Sequence, residues 1–278
     1  IPEWYQFRAI SQGFLNYAIN EQKNDYGSDV LMPGATWQVK TSTWAVANAA
    51  PLKNERYISS KSNYIMKLNF QMLSYQFPGG RFHDVGQNYP KYNKTLMNSE
   101  AFGKLLKKSA FLRDEVALIT NATSDEEKAL ALYTYVRNEM SWDEFVGHYP
   151  GDVRKAWKER KGSVGQINGL LVMMMREAGL NAEPVIISTR SNGILHPVFP
   201  DADKFNYLLA GVKLGENWIT LDASAKGYPF GTLPVKCLNG NGWIVSDVQS
   251  GWVAVGNGKK SKRTTQVKLS LRENGTID

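Results

Sequence analysis

This 278-residue chain holds one cysteine, Cys237, and only three histidines, His83, His148 and His196. A single thiol excludes an intrachain disulfide and a cysteine-built zinc site. The histidines lie far apart without H-x-x-x-H spacing, so neither a metal nor another cofactor is expected. No apolar run approaches the roughly 20 residues that cross a bilayer, so no transmembrane segment is expected. Helix-turn-helix, zinc-finger and RNA-binding signatures are missing, as are internal repeats and low-complexity tracts. The chain opens IPEWYQF without a starting Met and closes RENGTID. Both ends read as cut from something longer, so the lack of a signal segment says nothing of destination.

Hydrophobic residues make up 42% of the chain, enough for a sizeable core, and aromatics 12%, with 8 Trp and 13 Tyr. The length suggests two domains. The formal net charge is +7, a sign that suits anionic partners. The charge is scattered, however, and its densest run, GKKSKR from Gly258 to Arg263, reads as a solvated linker. No nucleic-acid partner is expected. Charge-driven binding to DNA or anionic polysaccharide remains the weakest of three readings, testable by salt dependence on heparin.

The grammar of the chain changes along its length. Residues 1–95 form a β-rich region, with TWQVKTSTWAVANAAP and NYIMKLNFQMLSYQF reading as strands and FPGGRFHDVGQNYP as a loop. From Thr95 to Leu118 apolar residues recur at helical spacing. Another helix starts after Ser124, where a capping hydroxyl and early acids precede ALALYTYVRNEM. Val153 to Lys161 is a short helix. GSVGQINGLLVMMMREAGL is a turn leading into a helix so apolar that it must be buried, stopped at Ala178-Gly179. AEPVIISTR, FNYLLAGVKL and NWITLDAS follow as strands, the last two split by a hairpin at Gly215-Glu216-Asn217. LPVKCLNGNGWIVSD adds a further strand. Residues 96–250 thus form a core, and 251–278 a linker and the start of a C-terminal β-domain, with the alternating TTQVKLSLRENGTID opening another strand. Helices followed by antiparallel strands make an α+β order.

A helix N-terminus carries free N–H groups and partial positive charge, so a cysteine placed there becomes a nucleophilic thiolate. Neighbouring strands can supply a histidine base and an orienting acid. The segment KGSVGQINGLLVMMMREAGLNAEPV resembles the transglutaminase-core pattern, in which a Gly-x-Cys turn leads into an apolar helix ending in R-x-A-G-[IL]-x-A and then x-P-V. Arg176, Ala178, Gly179, Leu180, Ala182, Pro184 and Val185 fit it. FNYLLAGVKLGENWITLDAS resembles the family's histidine strand and its acid strand ending L-D-A-[TS]. ALYTYVRNEMSW resembles the helix before the core. Within the superfamily, the segments STRSNG, FNYLLA, LDAS and LPVKCLNGNG resemble Bacteroidetes members of a bacterial group that joins a DUF3857 β-domain, a transglutaminase-like core and a DUF3858 domain. The resemblance implies a transglutaminase-like, papain-like (cysteine-protease-type) core of helices packed on an antiparallel sheet, and a periplasmic or cell-envelope location.

The resemblance places the cysteine position on Val164, the histidine position on Asn206 and the acid on Asp222. Only the acid matches. Valine has no nucleophilic atom, and an amide takes no proton near neutral pH. Losing one member of such a triad already costs about 10⁴ or more in rate. Ser163 reads as an N-cap rather than a substitute nucleophile. Cys237 reads as a small buried hydrophobe and His196 as a surface-loop residue. Asp222 reads as a strand-tying group or a relic. Trp142, Trp157 and Trp218 line a groove or pack under the sheet. The sequons at Asn93, Asn121 and Asn274 would matter only in a eukaryotic secreted protein.

Two readings follow. In the first, no residue is catalytic, and the degenerate triad Val164, Asn206 and Asp222 marks a pseudoenzyme. Such a binding or structural module would take an unknown peptide, glycan or envelope protein as its partner. In the alternative, an active thiol peptidase or acyltransferase uses an unrecognised nucleophile, which requires either a different register of the triad or the convergence of Cys237 and His196.

Overall fold

The computed structural model describes residues 2–13, 17–27, 37–49, 51–53, 55, 58–121, 124–256, 264–270, 272–273 and 275. The N-terminal region is built from strands rich in aromatic and β-branched residues. β1 (Tyr5–Gln12), β4 (Lys67–Tyr75) and the two-residue β5 (His83–Asp84) form one antiparallel sheet, and β2 (Ala18–Gly27) pairs with β3 (Trp37–Ala45) in a second. This region meets the rest of the chain through polar and aromatic contacts. The Arg8 guanidinium lies 3.9 Å from the Phe199 ring centroid, and Ile194 N donates to Asn63 Oδ1 at 2.8 Å.

Helices begin earlier than the apolar spacing suggests. α1 (Tyr89–Asn98) starts on the side-chain cap of Asn88 with Pro90 in its first turn, and it buries Tyr89, Tyr92, Leu96 and Met97 against the core. The stretch from Thr95 to Leu118 is broken into the end of α1, α2 (Gly103–Leu106), a 3₁₀ turn at Ala110–Leu112 and α3 (Arg113–Ile119). The backbone leaves the helix at Ser99, and Gly103 then packs onto Met97 so closely that a Cβ would sit 2.3 Å from the Met97 carbonyl oxygen. α4 (Asp125–Glu139) carries a full capping box between Ser124 and Glu127, and buries Ala129, Leu132, Tyr133 and Val136 along one stripe.

β6 (Ser141–Trp142), α5 (Val153–Glu159) and β7 (Lys161–Gly162) lead into α6 (Val164–Glu177), with β6 parallel to β7. α6 is buried on nearly every side, as its composition required. Each fully covered leucine, such as Leu170 and Leu171, contributes about 1.5–3 kcal/mol. It stops at Gly179, whose φ of +80° closes the helix with Leu180 N donating to the Met175 carbonyl.

β8 (Ala182–Ile187), β9 (Tyr207–Leu214), β10 (Asn217–Leu221), β11 (Gly240–Ile244) and β12 (Gly251–Val255) make one antiparallel sheet in the order β10-β9-β8-β11-β12. The sheet therefore runs to Val255, past the residue-250 boundary drawn from composition. The alternating segment from Thr264 onward has no ladder partner among the described residues, contrary to the strand expected there. Both faces of the central strands are covered, which explains why β8 reads as a continuous apolar run. Ile186, Leu208, Ala210 and Val212 join α6 in the main core. Val185, Ile187, Tyr207 and Leu209 face a second cluster with Val164, Leu233, Cys237, Ile244, Val253 and Val255.

Candidate functional site

Val164 is the first residue of α6, and it is the one residue of that helix placed in the second cluster. Ser163 caps the helix: its Oγ accepts from Gln166 N at 3.2 Å, while Gln166 Oε1 accepts from Ser163 N at 2.9 Å. The Ser163 hydroxyl is thus engaged as the cap that the sequence suggested. Val164 N donates to the Phe145 carbonyl at 3.2 Å, and Gly165 lies so near the Tyr149 carbonyl that a Cβ would come within 2.2 Å. The chain from Asp143 to Pro150 is therefore laid across the start of α6.

Asp222 follows β10 and is 0% exposed. A buried carboxylate demands donors, and it has four: Tyr207 Oη at 2.7 Å, Asn168 Nδ2 at 3.0 Å, Ser224 N at 3.1 Å and Ser224 Oγ at 2.5 Å. Asn168 is wholly occupied as well. Its amide nitrogen also donates to the Leu208 carbonyl at 2.9 Å, and its oxygen accepts from Ala223 N at 2.8 Å. This one side chain pins α6 to β9 and to the end of β10. Burial and the Asp222 charge push the Tyr207 phenol far above its ordinary range.

Residues 233–239 cross the same end of the sheet as a strap. Leu233 and Cys237 point inward beside Val164 and Tyr207. The strap is tied down by Arg190 Nη1 donating to the Leu238 carbonyl at 3.2 Å, and by Asn239 Nδ2 donating to the Gly193 carbonyl at 2.8 Å. Cys237 is 1% exposed, and burial, with the Asp222 charge adding, pushes its thiol up to about 12. Lys236 turns outward. Its ammonium lies 4.8 Å from the Tyr207 ring centroid and 5.0 Å from that of Trp142, a cation held between two aromatic rings.

The residues singled out from sequence are distributed as follows. Val164 and the Asp222–Tyr207 pair share one end of the sheet. Asn206 turns away: its Oδ1 accepts from Thr189 N at 2.9 Å and its Nδ2 donates to Thr189 Oγ1 at 2.9 Å. Neighbouring positions on a strand face opposite ways. The side chain that reaches the acid is thus Tyr207, one residue beyond Asn206. His196 is not brought to Cys237; its Nδ1 accepts from Val198 N and Phe199 N in its own loop, and its ring stacks on Phe199. Trp142 stands at the rim of the cluster, 38% exposed. Trp157 packs on the first core and holds the Arg160 guanidinium 3.4 Å from its centroid, and Trp218 packs on the second cluster. Of the sequons, Asn93 is buried and exchanges two hydrogen bonds with the Ser246 backbone, whereas part of each of the other two lies outside the described residues.

Sequence reasoning missed Tyr207 and Asn168. Each had a signal. Asn168 is an amide inside a helix of hydrocarbon, four residues from Val164 and hence on its face. Tyr207 alternates with Leu209 on one side of β9, while Leu208 and Ala210 take the other.

Among the described residues no cluster of His, Cys, Asp and Glu has the arrangement of a metal site, and no helix is long and apolar enough to cross a membrane. No curated protein matches the chain. A candidate protease from Parabacteroides distasonis is similar in structure over 92% of this chain and 43% of its own, with 13% identity and a TM-score of 0.50. This chain therefore spans less than half of that protein's length, and the likeness concerns the fold. A TGase structure is similar over 50% of this chain and 38% of its own, at 16% identity and TM-score 0.33. A candidate cysteine protease from Cytophaga hutchinsonii is similar over 96% and 84%, at 10% and 0.38. The model of the transglutaminase-like superfamily matches residues 115–223, the stretch that runs from α3 through α6 to Asp222. With helices packed on an antiparallel sheet, that stretch is a transglutaminase-like domain.

Proposed function

We propose that the transglutaminase-like core is non-catalytic and serves as a binding or structural module of the bacterial cell envelope. We propose further that the register of the degenerate triad is Val164, Tyr207 and Asp222, with Tyr207 in place of Asn206. The observation that carries this reading is the closure of the site. Hydrocarbon fills the start of α6, a phenol whose proton is held tightly donates to the acid, and the strap with Cys237 covers both. A thiol enzyme needs a thiolate, a base and an approach for substrate, and this end of the sheet offers none of the three. The family shape persists because Asp222 and Asn168 still tie the helix to two strands. We group the chain with the DUF3857 and DUF3858 proteins on its β-rich N-terminal region and the sequence pattern quoted above. A peptide, a glycan or another envelope protein is the partner class that follows.

The second reading, a thiol enzyme built on Cys237, draws on the nearness of that thiol to Tyr207 and Asp222. Its raised pKa and burial stand against it. One experiment separates the two. Hydrolysis of an activated thioester is measured before and after alkylation of the sole cysteine in mild urea, followed by refolding. The module reading expects no activity above the buffer rate in either sample. Thiol-dependent turnover abolished by alkylation would establish the enzyme. The envelope assignment is checked separately by fractionating the native host, where recovery in the cytosol would end it.

A further inference from the structure

A cleft of about 530 Å³ opens between the last turn of α4 and the loop after β10, lined by Arg137, Asn138, Lys226, Gly227 and Pro229. None of these residues belongs to the Val164–Tyr207–Asp222 cluster. Two cations face one open space, and neither makes an ion pair among the described residues. Lys226 also makes no hydrogen bond there, and its side chain is exposed.

Arg137 is held in place rather than loose. Its Nη1 donates to the Tyr228 carbonyl at 2.8 Å, and its guanidinium lies 5.3 Å from the centroid of Tyr133. The Tyr133 hydroxyl donates to the same Tyr228 carbonyl at 2.9 Å, so the loop carrying Lys226 and Gly227 is fixed to α4 at one point. A guanidinium fixed on one edge has lost its rotamer freedom in advance and presents its remaining N–H groups at no further entropic cost. Gly227 adopts φ +93°, a conformation that favours glycine, and nothing lies within 4 Å of where its Cβ would be. The Asn138 amide adds a neutral donor at the rim.

We propose that this cleft binds a small oxyanion, the carboxylate or phosphate group of a ligand, between Arg137 and Lys226. The carbonyl end of α4 opposes an anion with about half a charge, but two full positive charges outweigh it. A planar guanidinium beside a mobile ammonium is the combination that takes a carboxylate or phosphate by two parallel N–H bonds plus a point charge. Bound there, the anion would brace the loop that follows Asp222, so occupancy would be read as added stability.

The test uses the full chain with inorganic phosphate and with succinate as probes, against sodium chloride at equal ionic strength. Saturable stabilisation against unfolding is expected with phosphate, with succinate or with both. Whichever probe acts identifies the phosphate or the carboxylate source. Lys226→Ala is expected to keep the unliganded Tm and to weaken the probe about tenfold, and Lys226→Glu to abolish the effect. Arg137→Gln removes the pinned guanidinium and carries the risk of loosening the Tyr228 contact, so the Lys226 variants decide. Equal stabilisation of the native chain and Lys226→Glu would make the effect a general salt response and overturn the site. So would the lack of saturable stabilisation by either probe.

Discussion

On the face of the core sheet that meets α6, Ile186, Leu208, Ala210 and Val212 sit among hydrocarbon and aromatic side chains. On the opposite face, Tyr207 and Leu209 meet Val164 and Cys237, and a buried carboxylate with four donors lies at the same edge. The first face is held by area removed from water and tolerates volume-conserving exchange. The second is held by a polar network whose members depend on one another. A catalytic thiolate and imidazolium at that edge would both need charge stabilisation. A valine and a phenol need none, and the phenol still satisfies the acid. The difference teaches that packing holds one face of the sheet, while a hydrogen-bonded joint around Asp222 ties the other end to α6.

The largest effect that tests this contrast is Asp222→Ala, which leaves Tyr207, Asn168 and Ser224 without their acceptor. Urea unfolding is expected to show a loss of about 4 kcal/mol, comparable to Leu171→Ala on the other face at about 2–5 kcal/mol. A loss below about 1 kcal/mol would mean that the network is not a joint. Next comes pH. His148 lies on the segment across the start of α6, and burial lowers its imidazole from 6.5 to about 4. The unfolded chain therefore takes up its proton near 6.5 and the folded chain only near 4. Stability is complete above that window and falls through it on acidification, by up to about 3 kcal/mol. His148→Gln should flatten the decline; an unchanged profile would assign the loss to other groups.

Tyr207→Phe sharpens the comparison by removing a single donor, with an expected cost of about 1–2 kcal/mol in the same urea series. Asn206→Ala lacks any link to the acid, so coupling between it and Asp222→Ala in a double-mutant cycle should be near zero, whereas coupling with Tyr207→Phe should not. Smallest is the strap. Lys236→Ala gives up a cation held over two rings, so iodoacetamide should reach Cys237 about two- to fivefold faster in the folded protein. No change in that rate would show that Lys236 does not fasten the strap.

The elements legible in the sequence were those that depend on local periodicity and caps: α4 with its Ser124 box, α5, α6 with Gly179, and the β9–β10 hairpin. The break at Ser99 was not legible, because it is set by how closely Gly103 meets Met97 after the chain has turned. The carboxylate and the helix start were readable from the motif. That Tyr207 donates to Asp222 while Asn206 binds Thr189 was not legible, since a strand pattern with both faces buried gives no alternation of polar and apolar residues to fix the register. The strap was hidden for a different reason: its inward residues, Leu233 and Cys237, lie four apart in an irregular segment, with only a short 3₁₀ turn at Val235–Cys237.

The pairing of Asn93 with the Ser246 backbone bears on how this protein can be produced. Oligosaccharyl transfer acts on nascent chains, before α1 can dock against the loop after β11. A glycan added at Asn93 would occupy the amide that donates to the Ser246 carbonyl at 2.8 Å, and α1 would be barred from its seat. Secretion through a glycosylating host should therefore yield misfolded material. Thr95→Ala, which removes the sequon and forfeits only the bond from Thr95 Oγ1 to the Lys91 carbonyl, should restore the yield.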